Sequence, residues 1–157
     1  LNKTVAHLGD VLDRAIHAAG AQAGDGKLVI DRDPEAEGVA LHTDADRLAQ
    51  VFINLISNAQ KYCDAEAPCL SIRVRKLPGR VEVDFTDNGS GIPPRQRALI
   101  FEKFARADSA MGAPGAGLGL AISREIMARL GGGLVHVPSD SGARFRVRLP
   151  AQALRAA

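Results

Sequence analysis

Apolar residues recur at helical spacing most clearly between Asp44 and Tyr62. There Leu48, Val51, Phe52, Leu55, Ile56, Ala59 and Tyr62 predict one buried helix face, with Asp44 or Asp46 as the N-cap. Leu8, Val11, Leu12, Ala15, Ile16 and Ala19 predict an earlier amphipathic helix ended by Gly20. A third helix is expected over Leu118 to Leu130, stopped by Gly131-Gly132-Gly133. Between the helices the pattern switches to alternation. Lys27 to Asp31 and Val39 to Thr43 read as strands, and the polar turn DRDPEAEG between them predicts a hairpin. Leu70 to Lys76 and Val81 to Asp87 read as a second hairpin through Pro78-Gly79, and Leu134 to Val137 and Ala143 to Pro150 read as closing strands. Pro93 to Phe104 contains no more than a short helix, Ala105 to Ala116 reads as a mobile Gly/Pro-rich loop, and the last few residues read as a frayed tail.

The alternation also fixes the layers. Leu70, Ile72 and Val74 oppose Ser71, Arg73 and Arg75, while Phe145, Val147 and Leu149 oppose Arg144, Arg146 and Arg148. One sheet face must therefore be wet and the other covered by the helices. The expected fold is a two-layer α/β sandwich: a mixed, mostly antiparallel sheet covered on one face by three main helices, not a doubly wound parallel sheet. The outward arginines are read most simply as a solvated face.

Composition narrows the possibilities. The 157 residues, 46% of them hydrophobic, suit one globular domain spanning 1–157. Twenty basic and 18 acidic residues leave a net charge of +2 with no Lys/Arg run, so nucleic acid is not an expected partner. Cys63 and Cys69 match no metal spacing and read as free thiols of a reducing compartment. No apolar run reaches membrane-spanning length and no signal peptide is recognisable. The start at Leu1 suggests a fragment of a longer chain.

Three features carry candidate chemistry. Asn54, Asn58 and Lys61 form a polar stripe on the central helix, roughly 100° from the middle of its apolar face and so at the margin of the core. Carboxamide oxygens are hard ligands that suit magnesium, and an ammonium suits phosphate; the alternative is a solvated helix flank. Asp87 continues the buried phase of Val81, Val83 and Phe85, so its carboxylate needs a donor. The exocyclic amine of adenine would supply one and the carbonyl of guanine would not, while Asn88-Gly89-Ser90-Gly91-Ile92-Pro93 makes a Gly-broken turn that lets a flat ligand approach. The alternative for Asp87 is the cap of a tight turn. Finally, Gly115-Ala116-Gly117-Leu118-Gly119-Leu120 ends the loop and opens a helix, a setting that binds phosphate through free N–H groups or serves only as a hinge. It fits neither the Rossmann nor the Walker pattern.

In this order the stretches NLISNAQKY (54–62), DNGSGIP (87–93), IFEKFARAD (100–108) and GAGLGLAIS (115–123), with the closing GARFRVRLP (142–150), resemble the ATP-binding catalytic domain of bacterial sensor histidine kinases. That domain is a branch of the GHKL, or Bergerat-fold, superfamily. The resemblance implies that Asn58 coordinates Mg2+, with Asn54 beside it near the phosphates as a second catalytic position. It implies that Lys61 contacts phosphate and that Tyr62 packs on the adenine or ribose side. Asp87 would hold the adenine amine, with Gly89 and Gly91 allowing close approach. Gly115, Gly117, Leu118 and Gly119 would face the phosphates through their backbone, and Ile92 and Leu120 would offer apolar surface to the base. Phe101 and Phe104 would anchor a lid from which Arg106 reaches the phosphates. Ala116 departs from the family, which often has a hydroxyl residue there, and the lid is short and poor in large apolar residues.

Superfamily members that hydrolyse ATP carry a Glu one helical turn before the metal-binding Asn. Asn54 occupies that position here and cannot act as a base, which favours phosphoryl donation to another nucleophile. The resemblance thus implies a two-component protein histidine kinase that is not self-sufficient. None of His7, His17, His42 and His136 has the family's phosphoacceptor setting, so the accepting histidine is expected on dimerisation helices of the parent chain, with a response regulator downstream. The expected location is cytoplasmic, in a parent that can be anchored in the inner membrane, with no membrane insertion of this domain. The competing readings are a degenerate ATP-binding regulatory domain, a self-contained GHKL ATPase, and an interaction module with no nucleotide role.

Overall fold

The computed structural model describes residues 1–20, 28–102 and 116–150. Seven strands and three helices alternate along them: β1 (Thr4–His7), α1 (Leu8–Ala18), β2 (Val29–Arg32), β3 (Ala40–Thr43), α2 (Ala45–Tyr62), β4 (Cys69–Leu77), β5 (Arg80–Asp87), α3 (Ala116–Arg129), β6 (Gly133–Val137) and β7 (Arg144–Pro150). Five strands form the main sheet in the order β2-β4-β5-β7-β6. Only β2 runs parallel to its neighbour; the other pairings are antiparallel. The helices cover one face of this sheet, as the alternation predicts.

Each helix forms where its apolar period lies. The inward stripe of α2 (Leu48, Val51, Phe52, Leu55, Ile56 and Ala59) is buried, and Phe52 meets Phe85 of β5 with ring centroids 5.3 Å apart. Asp44 is the N-cap: its Oδ1 accepts from the Arg47 N–H at 3.2 Å and its Oδ2 from the Asn2 N–H at 3.0 Å. The buried residues of α1 are those the spacing marks, Leu8, Val11, Leu12, Ala15 and Ile16. The β4–β5 hairpin turns at Gly79, whose φ of 83° suits glycine.

Two expectations need correction. The strands flanking DRDPEAEG do not pair with each other. β2 joins β4 in parallel, and β3 pairs with β1, a strand the sequence pattern did not mark. Both are four residues long, too short for alternation to select a partner. The turn itself coils into a 3-10 segment, Pro34–Glu37. Glu37 is 4% exposed, and Arg32 clamps its carboxylate through Nε at 3.1 Å and Nη2 at 2.6 Å. The turn is thus packed as a small polar core and does not close a hairpin.

The outward arginines are not simply solvated. Glu82, in the middle of the open face, is only 1% exposed. Arg75 Nη2 and Arg80 Nε donate to it at 2.6 and 2.8 Å, and Arg148 and Arg146 stand at 3.4 and 3.5 Å. Arg146 also forks onto Asp84 at 2.8 and 2.9 Å. The antiparallel register places these residues opposite one another, Glu82 between Arg75 and Arg148 and Asp84 opposite Arg146. Opposed charges in register are the sheet's local stabilising unit.

The Asn2 N–H, more than the opposing burial or the Arg47 N–H, holds the Asp44 carboxyl below its usual range. A depressed folded pKa gives stability that is complete above the ordinary carboxylate range and is lost as pH falls through the folded value. Asp44→Ala should therefore lower stability at neutral pH by about 1 kcal/mol, and the gap from wild type should shrink in acid. Urea denaturation at both pH values checks this; a gap that does not change with pH would contradict the role of the ionised cap.

Candidate functional site

The sheet delivers Asp87 at the end of β5, two residues past the buried Phe85. Its carboxylate is half-buried, and one oxygen is fixed from two sides. Oδ1 accepts from the Gly89 N–H at 2.9 Å and from the Ala143 N–H at 3.1 Å. The first bond is the turn-capping contact that a DNG sequence suggests, so Asp87 does cap its turn. Oδ2 has no hydrogen-bond partner among the described residues. A carboxylate held by one oxygen presents the other as an oriented acceptor for an N–H donor.

The close approach behind Asp87 depends on a glycine outside the sequence-predicted site. A Cβ on Gly142 would lie 2.2 Å from the Asp87 carbonyl oxygen and 2.6 Å from Oδ1, and its φ is 122°. The only sequence signal was its place at the head of the closing stretch. Gly91 also has positive φ, at 84°, and reverses the chain after the carboxylate. Ile92 then packs part-buried against the core, and its carbonyl accepts from Arg97 Nε at 3.1 Å.

The C-terminal end of α2 lies beside this turn, where Asp64, two residues past the helix, accepts from the Ser90 N–H. Asn54 and Asn58 are half-buried, Lys61 is exposed, and Tyr62 is half-buried as the last helical residue. The two asparagines differ in their contacts. Asn54 donates through Nδ2 to Ser123 Oγ at 2.9 Å and to the Gly119 carbonyl at 3.3 Å, and it accepts from Gln50 at 3.1 Å. It ties α2 to α3, and its partner Ser123 is fully buried. Neither Asn58 nor Lys61 has a hydrogen bond or ion pair among the described residues, so their polar groups are available to a ligand.

The first turns of α3 contain Gly117, Leu118 and Gly119, and Leu120 is buried beneath them. The helix begins at Ala116, two residues earlier than its apolar spacing predicts. Phe101 meets Phe145 edge-on at 6.2 Å, and the Arg124 guanidinium lies 4.7 Å over its ring. The predicted positions Phe104, Arg106 and Gly115 lie outside the described residues, as does the loop expected over Ala105 to Ala116 except for Ala116, which is helical. The structure thus joins Asn54 to Gly119 directly and Asp87 to Gly89 directly. Sequence reasoning missed Ser123, Gly142 and the Ala143 N–H, which act through backbone proximity or burial and leave no periodic trace.

Gly89 and Gly142 both flank Asp87, but a side chain would cost differently at each. A Cβ at Gly89 would meet the side-chain oxygen Asp64 Oδ1 at 2.8 Å and the Asp64 backbone nitrogen at 3.2 Å, a milder overlap than the 2.2 Å to backbone at Gly142. Gly142→Ala should destabilise by about 1–3 kcal/mol, and Gly89→Ala by clearly less. Denaturant midpoints of the two variants test this order; equal midpoints would contradict it.

Comparison with known proteins identifies the family to which the fold belongs. The profile of the family described as "Histidine kinase-, DNA gyrase B-, and HSP90-like ATPase" matches residues 43–153. The sensor protein KdpD of Escherichia coli is 42% identical over 113 residues, covering 71% of this chain and 12% of its own. The signal transduction histidine-protein kinase/phosphatase MprB of Mycolicibacterium paratuberculosis is 34% identical over 153 residues, 94% of this chain and 28% of its own. The chain therefore spans under a third of the length of these relatives. Among solved structures, a mycobacterial sensor histidine kinase MprB superposes with a TM-score of 0.81 at 27% identity, covering 98% of this chain and all of that one. Full-length ShkA in complex with AMPPNP superposes with a TM-score of 0.81 at 28% identity, covering 100% of this chain and 32% of that one. The chain belongs to the histidine kinase-, DNA gyrase B- and HSP90-like ATPase family, as an ATP-binding catalytic domain of the sensor histidine kinase type.

Proposed function

We propose that this single domain binds Mg-ATP and donates its γ-phosphoryl group to a histidine on separate dimerisation helices of a parent two-component sensor kinase. From there the phosphoryl group would pass to a response regulator. The observation that carries the nucleotide reading is the Asp87 carboxylate. Two backbone N–H groups fix Oδ1, and Oδ2 is left as an acceptor beside a glycine turn. The adenine amine completes it; the carbonyl of guanine, another acceptor, is repelled. The neighbouring ShkA structure was obtained with AMPPNP, which supports an adenine nucleotide.

The phosphate end falls to α2 and α3. Lys61 is exposed and free of carboxylate partners among the described residues, so its ammonium can pair with phosphate oxygens. The N–H groups of the first turn of α3 lack intrahelical acceptors and suit the remaining oxygens. Asn58 fits a magnesium ion. Its carboxamide oxygen is a hard donor and is unengaged among the described residues. Among the described residues no group of three or more His, Cys, Asp or Glu side chains is placed to hold a metal ion, and Asn58 is the residue that would hold magnesium. When bound, magnesium would neutralise charge on the transferring phosphoryl group.

Asn54 favours transfer over hydrolysis. It offers no base for water, and its amide is already spent on Ser123 and Gly119. No helix among the described residues is long and apolar enough to cross a membrane. Cytoplasmic placement, in a parent that can carry its own membrane anchor, is part of the proposal and rests on the likeness to sensor kinases.

Calorimetric titration with ATP and GTP, with and without magnesium, tests the site. ATP should bind at least about tenfold more tightly than GTP, a difference of roughly 1.4 kcal/mol, and Asp87→Asn should remove most of that preference. Equal affinity for the two nucleotides would refute the role of Asp87. Steady phosphate release by the isolated domain would refute the role of Asn54 and favour a self-contained ATPase.

A further inference from the structure

Resting on the nucleotide site proposed above, we infer that Asp64 is a positioning residue, clamping Ser90 and thereby locking the phosphate-facing end of α2 to the turn that carries Asp87. Asp64 lies two residues beyond Tyr62, where α2 ends. Both of its oxygens are used on one residue: Oδ1 accepts from the Ser90 N–H at 2.8 Å and Oδ2 from the Ser90 hydroxyl at 2.6 Å. Gly89 makes room for this. A Cβ there would lie 2.8 Å from Asp64 Oδ1 and 3.2 Å from its backbone nitrogen. The missing side chain at Gly89, expected to admit a ligand, therefore also admits Asp64.

A second tie runs beside the first. Asn88 Oδ1 accepts from the Cys69 N–H at 2.9 Å and from Cys63 Sγ at 3.3 Å, while its Nδ2 donates to the Ala67 carbonyl at 2.9 Å. The connection from α2 to β4 is thus stapled to the turn by Asn88 and Ser90, the residues on either side of Gly89. The Ser90 hydroxyl and then its N–H hold the Asp64 carboxyl below the usual carboxylate range, so the clamp stays ionised at neutral pH.

The consequence concerns ligands that span both halves. Asp87 sits on one element and Asn58 and Lys61 on another, and a nucleotide that touches both gains from finding them already aligned. Adenosine reaches the Asp87 turn and, on α2, at most Tyr62, stopping short of Asn58 and Lys61, so it gains much less from the alignment. Asp64 therefore matters for ATP far more than for adenosine, a split that general loosening of the fold would not produce.

The test is titration of ATP and of adenosine against wild type, Asp64→Ala, Asp64→Asn, Ser90→Ala and Asp87→Asn, with thermal melting of each variant. Asp64→Ala should weaken ATP about tenfold and adenosine by no more than about twofold. Asp64→Asn keeps an oxygen for the N–H and gains an amide that can donate to the hydroxyl, so it should stay near wild type. Ser90→Ala should fall between them, and combining it with Asp64→Ala should add nothing further. Unchanged ATP affinity in Asp64→Ala, with Asp87→Asn strongly impaired, overturns the clamp and leaves the nucleotide site standing. Equal losses for ATP and adenosine in Asp64→Ala also overturn it. If wild type fails to bind ATP, or Asp87→Asn binds it normally, the nucleotide site falls and the clamp with it. Should Asp64→Ala not fold, Ser90→Ala carries the same comparison.

Discussion

The contact between Phe52 and Phe85, both fully buried, sets the orientation of everything around the site. It is the point where the apolar stripe of α2 meets the central strand β5. Once that stripe is down, the helix cannot rotate without exposing Leu48, Leu55 and Ile56, at a cost of about 1.5–3 kcal/mol for each side chain. The rotation so fixed leaves Asn54 and Asn58 at the rim of the core. The strand ends at Asp87, two residues after Phe85, and the turn that follows bonds to Asp64 just past the end of α2. Hydrophobic burial thus aims polar groups that take no part in it.

Around this anchor the site is assembled by short polar ties between elements distant in sequence. Asn54 fastens α2 to the start of α3, and the Ala143 N–H fastens the head of β7 to Asp87. These ties hold the two helices and the ends of the inner strands β5 and β7 in one arrangement, while Asn58, Lys61 and one oxygen of Asp87 remain uncommitted among the described residues. The separation of tasks is clear in the two asparagines. They lie one helical turn apart with the same chemistry, yet one serves the frame and the other faces outward from it.

What the sequence revealed and what it hid follow from the range of the forces involved. The helices, the Asp44 cap and the β4–β5 hairpin are decided within a few residues, and periodicity and turn chemistry state them openly. The partners of β2 and β3 are decided by strands far along the chain, so a persuasive local turn pointed to the wrong pairing. The four ordered boxes made the family recognisable. Gly142 and Ser123 were invisible because the first is needed for what it lacks and the second for a single hydrogen bond at full burial. The alternation of the arginines states that they face outward, but not what answers them, because Glu82 and Asp84 lie on a different strand.

That open face constrains how the sequence can drift. Glu82 is the common acceptor of Arg75 and Arg80 and the close neighbour of Arg146 and Arg148. Replacing the acid first would leave four guanidinium groups crowded over one position, with Asp84 to answer only Arg146. Replacing an arginine first leaves the acid with others. The network is therefore shed at least cost in one order, basic residues before acidic, and descendants that retain several of the arginines are expected to retain an acid at position 82.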